Sequence, residues 1–196
     1  MSTQLRPKYS IKDYLDIEEM SNIKHEYFNG DIFAMTGASI NHNRIKEDLS
    51  QTLSNQLMQQ KCEVFGSDMR VKTVSGLYTY PDLIVVCGDL LIENIDGKET
   101  ILNPILIVEI LSKTTQGYDK TSKFELYKSI DSFQEYVLIS QYQPCVTVYA
   151  KKLNGNWELE TEHTSLDSNI YLSSINCTVA MSHIYRRVKF EQNKNL

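Results

Sequence analysis

Hydrophobic positions in this chain change period several times between residues 10 and 190, and each change marks an expected element. Ile11, Tyr14, Leu15 and Glu18 stand at helical spacing behind Ser10, a residue suited to cap a helix, which predicts a short helix to about Glu19. Residues 24–28 and 31–35 flank Asn29-Gly30, the pair favoured in two-residue turns, and predict a hairpin. Over residues 41–61, Ile45, Leu49, Leu53 and Leu57 recur every four positions and form the buried stripe of a long helix. Strands are expected over 63–74, 79–87 and 105–111, and the last, apolar on both faces, belongs at the centre of a sheet. A second helix follows over 119–130 with Asp119 as its cap, then a strand over 135–140. Val146 to Lys151 and residues 157–162 read as a late hairpin, and 181–190 as a helix with Ile184, Tyr185 and Val188 on one side.

This order implies an α/β fold. Consecutive strands without intervening helices indicate an antiparallel start, and the crossover through 119–130 permits a parallel fourth strand. The expected architecture is a mixed sheet flanked by helices, with the helices at 45–57 and 119–130 on opposite faces. An N-terminal helix and hairpin and a C-terminal hairpin add to it. No repeat, low-complexity segment or linker divides the chain, so residues 1–196 are expected to form a single domain with its core at about 41–140.

Composition narrows the class. Hydrophobic residues at 41% and charged residues at 23% fit a globular protein. No apolar run approaches the roughly 20 residues of a membrane span, and the first residues lack an apolar signal core, so a cytoplasmic protein with no membrane partner is expected. Cys62, Cys87, Cys145 and Cys177 are scattered without a Cys-x-x-Cys pair, which excludes a zinc knuckle and reads as reduced, buried thiols. A net charge of −5 argues against a broad electrostatic grip on nucleic acid. The basic run at Arg186, Arg187 and Lys189 reads as a solvated helix face.

Three residues stand out against this pattern. Asp82 opens the run Leu83-Ile84-Val85-Val86 behind Pro81, and Glu109 sits inside Ile107-Val108-Glu109-Ile110-Leu111. An ionised carboxylate in such a setting costs on the order of several kcal/mol unless it is paired or holds a cation. Two of them on neighbouring strands suit a divalent cation, the chemistry of metal-dependent phosphodiester cleavage. Rival readings are a turn aspartate at Asp82 and an ion pair of Glu109 with an arginine such as Arg70. At about 100° per residue, Lys123 falls in the middle of the face formed by Leu126, Tyr127 and Ile130, so it must snorkel to water or meet an acid. Lys120 lies at the border of that face, and Lys113 is the loop alternative. His42, three residues before Ile45, reads as a core or helix-start histidine, and Glu26 lies on the early hairpin.

Tyr80-Pro81-Asp82-Leu83-Ile84-Val85-Val86, the stretch Asn103-Pro104-Ile105-Leu106-Ile107-Val108-Glu109-Ile110-Leu111-Ser112, and the segment from Tyr118 to Tyr127 resemble, in this order, the PD-(D/E)XK nuclease superfamily, and more specifically its Uma-type family of restriction-endonuclease-like proteins. The likeness continues in Glu135-Tyr136-Val137-Leu138-Ile139, includes Glu26, Asn29-Gly30 and His42, and spans about residues 10–187. It implies a restriction-endonuclease-like fold and an endonuclease acting on DNA with Mg²⁺ or Mn²⁺, with a homodimer suited to cutting both strands. It implies Asp82 and Glu109 as metal-binding acids and the carbonyl of Ile110 as a further ligand. Lys123 and Glu26 would complete the site. One departure matters: the superfamily places a lysine two residues after the second acid, where this chain has Leu111, and the family likeness moves that lysine to Lys123. The competing expectations are a catalytically weak or inactive dimeric nucleic-acid-binding or assembly module, its contact supplied by Val146, Val148, Tyr149 and Trp157, and an enzyme acting on another phosphoester.

Overall fold

The computed structural model describes residues 8–190; residues 1–7, on which the expectation of no signal core rests, and 191–196 lie outside this range. In chain order the elements are α1 (Ile11–Met20), β1 (His25–Phe28), β2 (Asp31–Ala34), α2 (Ile40–Leu57), β3 (Cys62–Gly66), β4 (Val71–Lys72), β5 (Tyr78–Thr79) and β6 (Leu83–Cys87). There follow β7 (Ile92–Ile95), β8 (Lys98–Ile101), β9 (Leu106–Leu111), α3 (Gln116–Lys120), α4 (Ser122–Tyr127), β10 (Glu135–Ser140), β11 (Val146–Lys151), β12 (Trp157–His163), β13 (Asn169–Leu172), β14 (Cys177–Ala180) and α5 (Met181–Ile184).

The main sheet has the order β12-β11-β10-β9-β6-β3. β9 is central: it runs antiparallel to β6 and parallel to β10, the strand it reaches through α3 and α4. All six residues of β9 are buried, as an apolar run covered on both faces requires. Ile45, Leu49, Leu53 and Leu57 of α2 pack with Leu106, Val108 and Ile110 on one face, while Phe124 and Tyr127 of α4 pack with Ile107 and Leu111 on the other. The mixed sheet with helices on opposite faces therefore matches the expected α/β class. No helix among the described residues is long and apolar enough to cross a membrane.

A second sheet, β2-β1-β5-β4-β8-β7, collects the N-terminal hairpin and the loops that enter and leave β6. The chain enters it through α1, where Ser10 accepts from the Asp13 amide and the Asp13 carboxylate accepts from Ser10 at 2.8 Å, closing a reciprocal cap. Tyr14, Leu15, Tyr27 and Tyr78 form its core.

Several expected elements differ in extent. Residues 63–74 are not one strand: β3 pairs with β6 in the main sheet, whereas β4 belongs to the second sheet, because the chain turns at Ser67–Asp68 and changes sheets. The helix expected over 119–130 is two short helices broken at Thr121 (φ −126°, ψ −93°), and Asp119 is a buried member of α3 rather than a cap. The C-terminal helix covers only Met181–Ile184, after which Arg186 and Arg187 both bond the buried Asp48 of α2; the basic run thus ties the tail to α2 instead of forming a freely solvated face. The β7–β8 hairpin is an element the sequence analysis missed; its Asp96-Gly97 turn, with φ values of 51° and 81°, repeats the 50° and 84° of Asn29-Gly30.

Two further expectations are corrected. Cys62 and Cys87 are direct cross-strand partners on β3 and β6 and form a disulfide, so only Cys145 and Cys177 are free. Ladder register, invisible in the spacing of 25 residues, brings them together. The late-hairpin side chains expected at a contact are turned inward: Val146 and Val148 are fully buried, and Tyr149 and Trp157 pack against Phe124, while Leu159 is exposed.

The fold yields two checks. Alkylation of the unfolded chain without reductant should label two thiols, rising to four after reduction, as read by intact mass. Leu53, fully buried at the α2–sheet contact, should cost about 2–5 kcal/mol on replacement by alanine in urea unfolding.

Candidate functional site

The site forms where β6 and β9 part. Their pairing runs Val85↔Leu106, Ile84↔Ile107 and Leu83↔Val108, which brings it to the residues just before Asp82 and Glu109. There the ladder stops, and the Asp82 side chain replaces it: Oδ2 accepts from the Ile110 amide at 2.7 Å. The same oxygen lies 3.1 Å from His42 Nε2. His42 is the third residue of α2, and its own amide donates to the capping Ser39 hydroxyl, which fixes the start of the helix beside Asp82.

Alternation along β9 sends Glu109 to the α4 face with Ile107 and Leu111. Lys123 meets it there, with Nζ 2.8 Å from Oε1. Tyr127, one turn further along α4, donates its hydroxyl to the same oxygen at 2.7 Å. The lysine also reaches Glu26 Oε1 of β1 at 2.9 Å, and Thr79 of β5 donates to that oxygen at 2.5 Å. Asp119 Oδ1 of α3 stands 3.8 Å from the ammonium. Only 5% of the Lys123 side chain is exposed. Asp119, Lys123 and Tyr127 follow each other at four-residue intervals and turn toward one place, despite the break at Thr121.

Charge in this cluster is unbalanced. Glu26, Glu109 and Asp119 face one ammonium, and Asp82 adds a fourth carboxylate across the strand pair. Burial works against the charge on Lys123, but Glu109, Glu26 and Asp119 outweigh it and hold the ammonium protonated well above its ordinary range. Burial pushes the Glu109 carboxyl up, to about 8, with Lys123 opposing and the Asp119 and Asp82 charges reinforcing the rise. Burial raises Asp119 in the same way. Tyr127 stays protonated because burial and the Glu109 charge both disfavour a phenolate.

The donor set suits a hard cation. Asp82, Glu109 and Glu26 each bond through one carboxylate oxygen, while the other makes no hydrogen bond among the described residues. These side chains are little exposed, Asp82 at 14%, Glu26 at 11% and Glu109 at 6%. No three described His, Cys, Asp or Glu side chains converge closely enough to enclose an ion. A magnesium-type ion does not need such a cage, because it keeps several waters and takes one or two carboxylates.

Of the residues singled out in the sequence, Glu26, Glu109 and Lys123 are in direct contact, and Asp82 joins them through Ile110 and the strand register. Ile110 contributes its amide to Asp82. Lys113 and Lys120 are exposed, the former with its ammonium over the Tyr142 ring, and neither joins the cluster. Arg70 does not pair with Glu109; it donates to Thr100 and lies over the Tyr14 and Tyr78 rings. Sequence reasoning missed Asp119, Tyr127 and Thr79 as members of the cluster and read His42 as a core or helix-start residue. The four-residue spacing about Lys123 could have found the first two. Nothing local marks Thr79, which arrives through pairing of β5 with β1.

Comparison with known proteins identifies the family. A family model named Uma2, described as "Putative restriction endonuclease", matches residues 11–180. A protein of Synechocystis sp. (strain ATCC 27184 / PCC 6803 / Kazusa) is 37% identical over 187 residues, 94% of this chain and 95% of its own. A second from the same organism is 37% identical over 148 residues, 75% of this chain and 83% of its own. Both are named only as uncharacterized proteins. The crystal structure of "a putative nuclease belonging to DUF820" from Anabaena variabilis ATCC 29413 superposes with a TM-score of 0.71 at 18% identity, covering 89% of this chain and 96% of that one, and shares the fold. With a match of that extent, carrying Asp82, Glu109 and Lys123 within it, the chain belongs to the Uma2 family of restriction-endonuclease-type proteins.

Proposed function

We propose that this protein is a Mg²⁺- or Mn²⁺-dependent endodeoxyribonuclease that hydrolyses DNA phosphodiester bonds. The observation that carries the reading is the excess of carboxylates around Lys123: Glu109, Glu26 and Asp119 face one ammonium, and Asp82 bonds the amide of Ile110, the residue after Glu109. Asp82, Glu109 and the Ile110 carbonyl would hold the ion. Bound there, it would supply Lewis acidity at the scissile phosphate and an attacking water of lowered pKa.

The chain's own groups do the rest. Ile110 and His42 fix one oxygen of Asp82, and Tyr127 and Lys123 fix one of Glu109. Lys123 stays charged at neutral pH, so it can orient water and offset the charge that develops on the phosphate oxygens. Glu26, steadied by Thr79, holds the ammonium from the second sheet. The 3′ oxygen leaves and a 5′-phosphate remains. The reading includes action in the cytoplasm and a homodimer that cuts both strands.

One observation favours a second reading, a catalytically weak or inactive dimeric nucleic-acid-binding or assembly module. Lys123 is already paired with two carboxylates and buried, as a purely structural ion cluster would be. Metal separates the two. Mn²⁺ at about 100 times its dissociation constant should stabilise the wild type by about 2.7 kcal/mol, seen as a higher melting temperature, and should leave the melting of Asp82→Ala/Glu109→Ala unchanged. The same double variant should lose nicking of supercoiled plasmid in Mn²⁺. Wild-type protein that neither shifts nor nicks belongs to the module reading.

A second check probes the buried charges without metal. Lys123→Met should destabilise the protein by about 3–5 kcal/mol in EDTA, because it strands Glu26 and Glu109. Adding Glu26→Gln should recover part of that loss in urea unfolding; strictly additive losses would mean that the two residues do not interact.

A further inference from the structure

We infer that His42 is a positioning residue: its Nε2–H donates to Asp82 Oδ2 and holds that carboxylate with Oδ1 turned outward for the cation. The inference rests on the nuclease reading of Asp82 and goes beyond it by giving His42 a task. Two donors, the Ile110 amide at 2.7 Å and His42 at 3.1 Å, converge on Oδ2, whereas Oδ1 has no hydrogen bond among the described residues. A carboxylate with one oxygen doubly bonded cannot rotate freely, so its second oxygen keeps one direction. Hydrogen bonds of this kind behind a ligating carboxylate commonly govern metal affinity.

The other ring nitrogen decides between roles. Nδ1 is buried and has no hydrogen-bond partner among the described residues. A proton placed there would be an orphaned buried donor, while Nε2 and Oδ2 would face each other as two acceptors. The network therefore assigns the proton to Nε2. An ion cannot reach Nδ1 and Nε2 is already bonded to Asp82, so His42 is neither a ligand nor a proton relay to solvent. Nor does the helix need the imidazole, since Ser39 takes the His42 backbone amide. The ring stays beside Asp82 because Ser39 fixes α2 at that point.

The test combines two readouts that do not depend on turnover. In the metal-free wild type, imidazole ¹⁵N resonances should identify Nε2 of His42 as protonated; a bare Nε2 overturns the inference. Free Mn²⁺, counted by electron paramagnetic resonance, should give a dissociation constant about tenfold or more higher for His42→Leu. His42→Gln, whose amide reaches the Nε2 position, should bind Mn²⁺ close to wild type. Plasmid nicking by His42→Leu should lose kcat while KM for DNA stays unchanged. If His42→Leu does not fold, His42→Gln and His42→Asn decide: the shorter amide cannot reach Oδ2, so equal Mn²⁺ affinity of the two overturns the inference. Wild-type affinity in His42→Leu beside weakened binding in Asp82→Asn sinks this inference and spares the nuclease reading. Unchanged binding in both variants sinks both.

Discussion

A buried ammonium shared among carboxylates from separate elements is the constraint on which the rest of this structure turns. Lys123 on α4 could not dock against β9 uncompensated, since desolvating it alone costs on the order of several kcal/mol. Glu109 meets it from the sheet, Asp119 from α3 and Glu26 from the second sheet. The N-terminal hairpin is therefore part of the cluster, because its acid meets the same ammonium as Glu109. The second sheet owes part of its purpose to this contact: Tyr27↔Tyr78 pairing brings Thr79 beside Glu26 and keeps the acid aimed at the lysine.

The carboxylates also share an asymmetry. In Asp82, Glu109 and Glu26 the protein binds one oxygen with fixed donors and leaves its mate without a hydrogen bond among the described residues. Those donors are rigid: a strand amide, a buried tyrosine hydroxyl and a buried threonine. A structural ion cluster has no need of unspent acceptors, whereas a cation site does, and acids already oriented lose little freedom when an ion arrives. The same arrangement stabilises the fold and, on the proposed reading, supplies the acids that would take a hard cation.

The centre of this arrangement was legible in the sequence because it violated local pattern. Glu109 interrupts an apolar run, and Lys123 interrupts an apolar helix face, so each demands a partner that the chain must supply. Where a residue obeyed its local pattern, the sequence was silent. His42 fits a helix start, and only the approach of α2 to the end of β6 reveals its contact with Asp82. Cys62 and Cys87 sit unremarkably in two strands until register pairs them. The 63–74 stretch reads as one strand because periodicity records which face is apolar, not which sheet a strand joins. The β7–β8 hairpin hides for another reason: Glu93, Asn94, Lys98 and Glu99 mask its alternation, although Glu93 is held by Lys72 and Tyr78.

The lysine's place on a helix follows from what surrounds β9. Position 111 faces the same side as Glu109, and in this chain Leu111 fills the contact with Phe124 and Tyr127. A lysine there would remove apolar area from the seam that seats α4. With the charge on α4, the seam stays apolar at Leu111, and the ammonium arrives one turn from Tyr127, whose hydroxyl secures the same Glu109 oxygen. The arrangement binds the position of the charge to the position of the helix. Asp119 and Lys123, on different short helices, still meet across the break at Thr121. On the proposed reading, the charge that the strand lacks comes from the helix through the same contacts that hold it to the sheet.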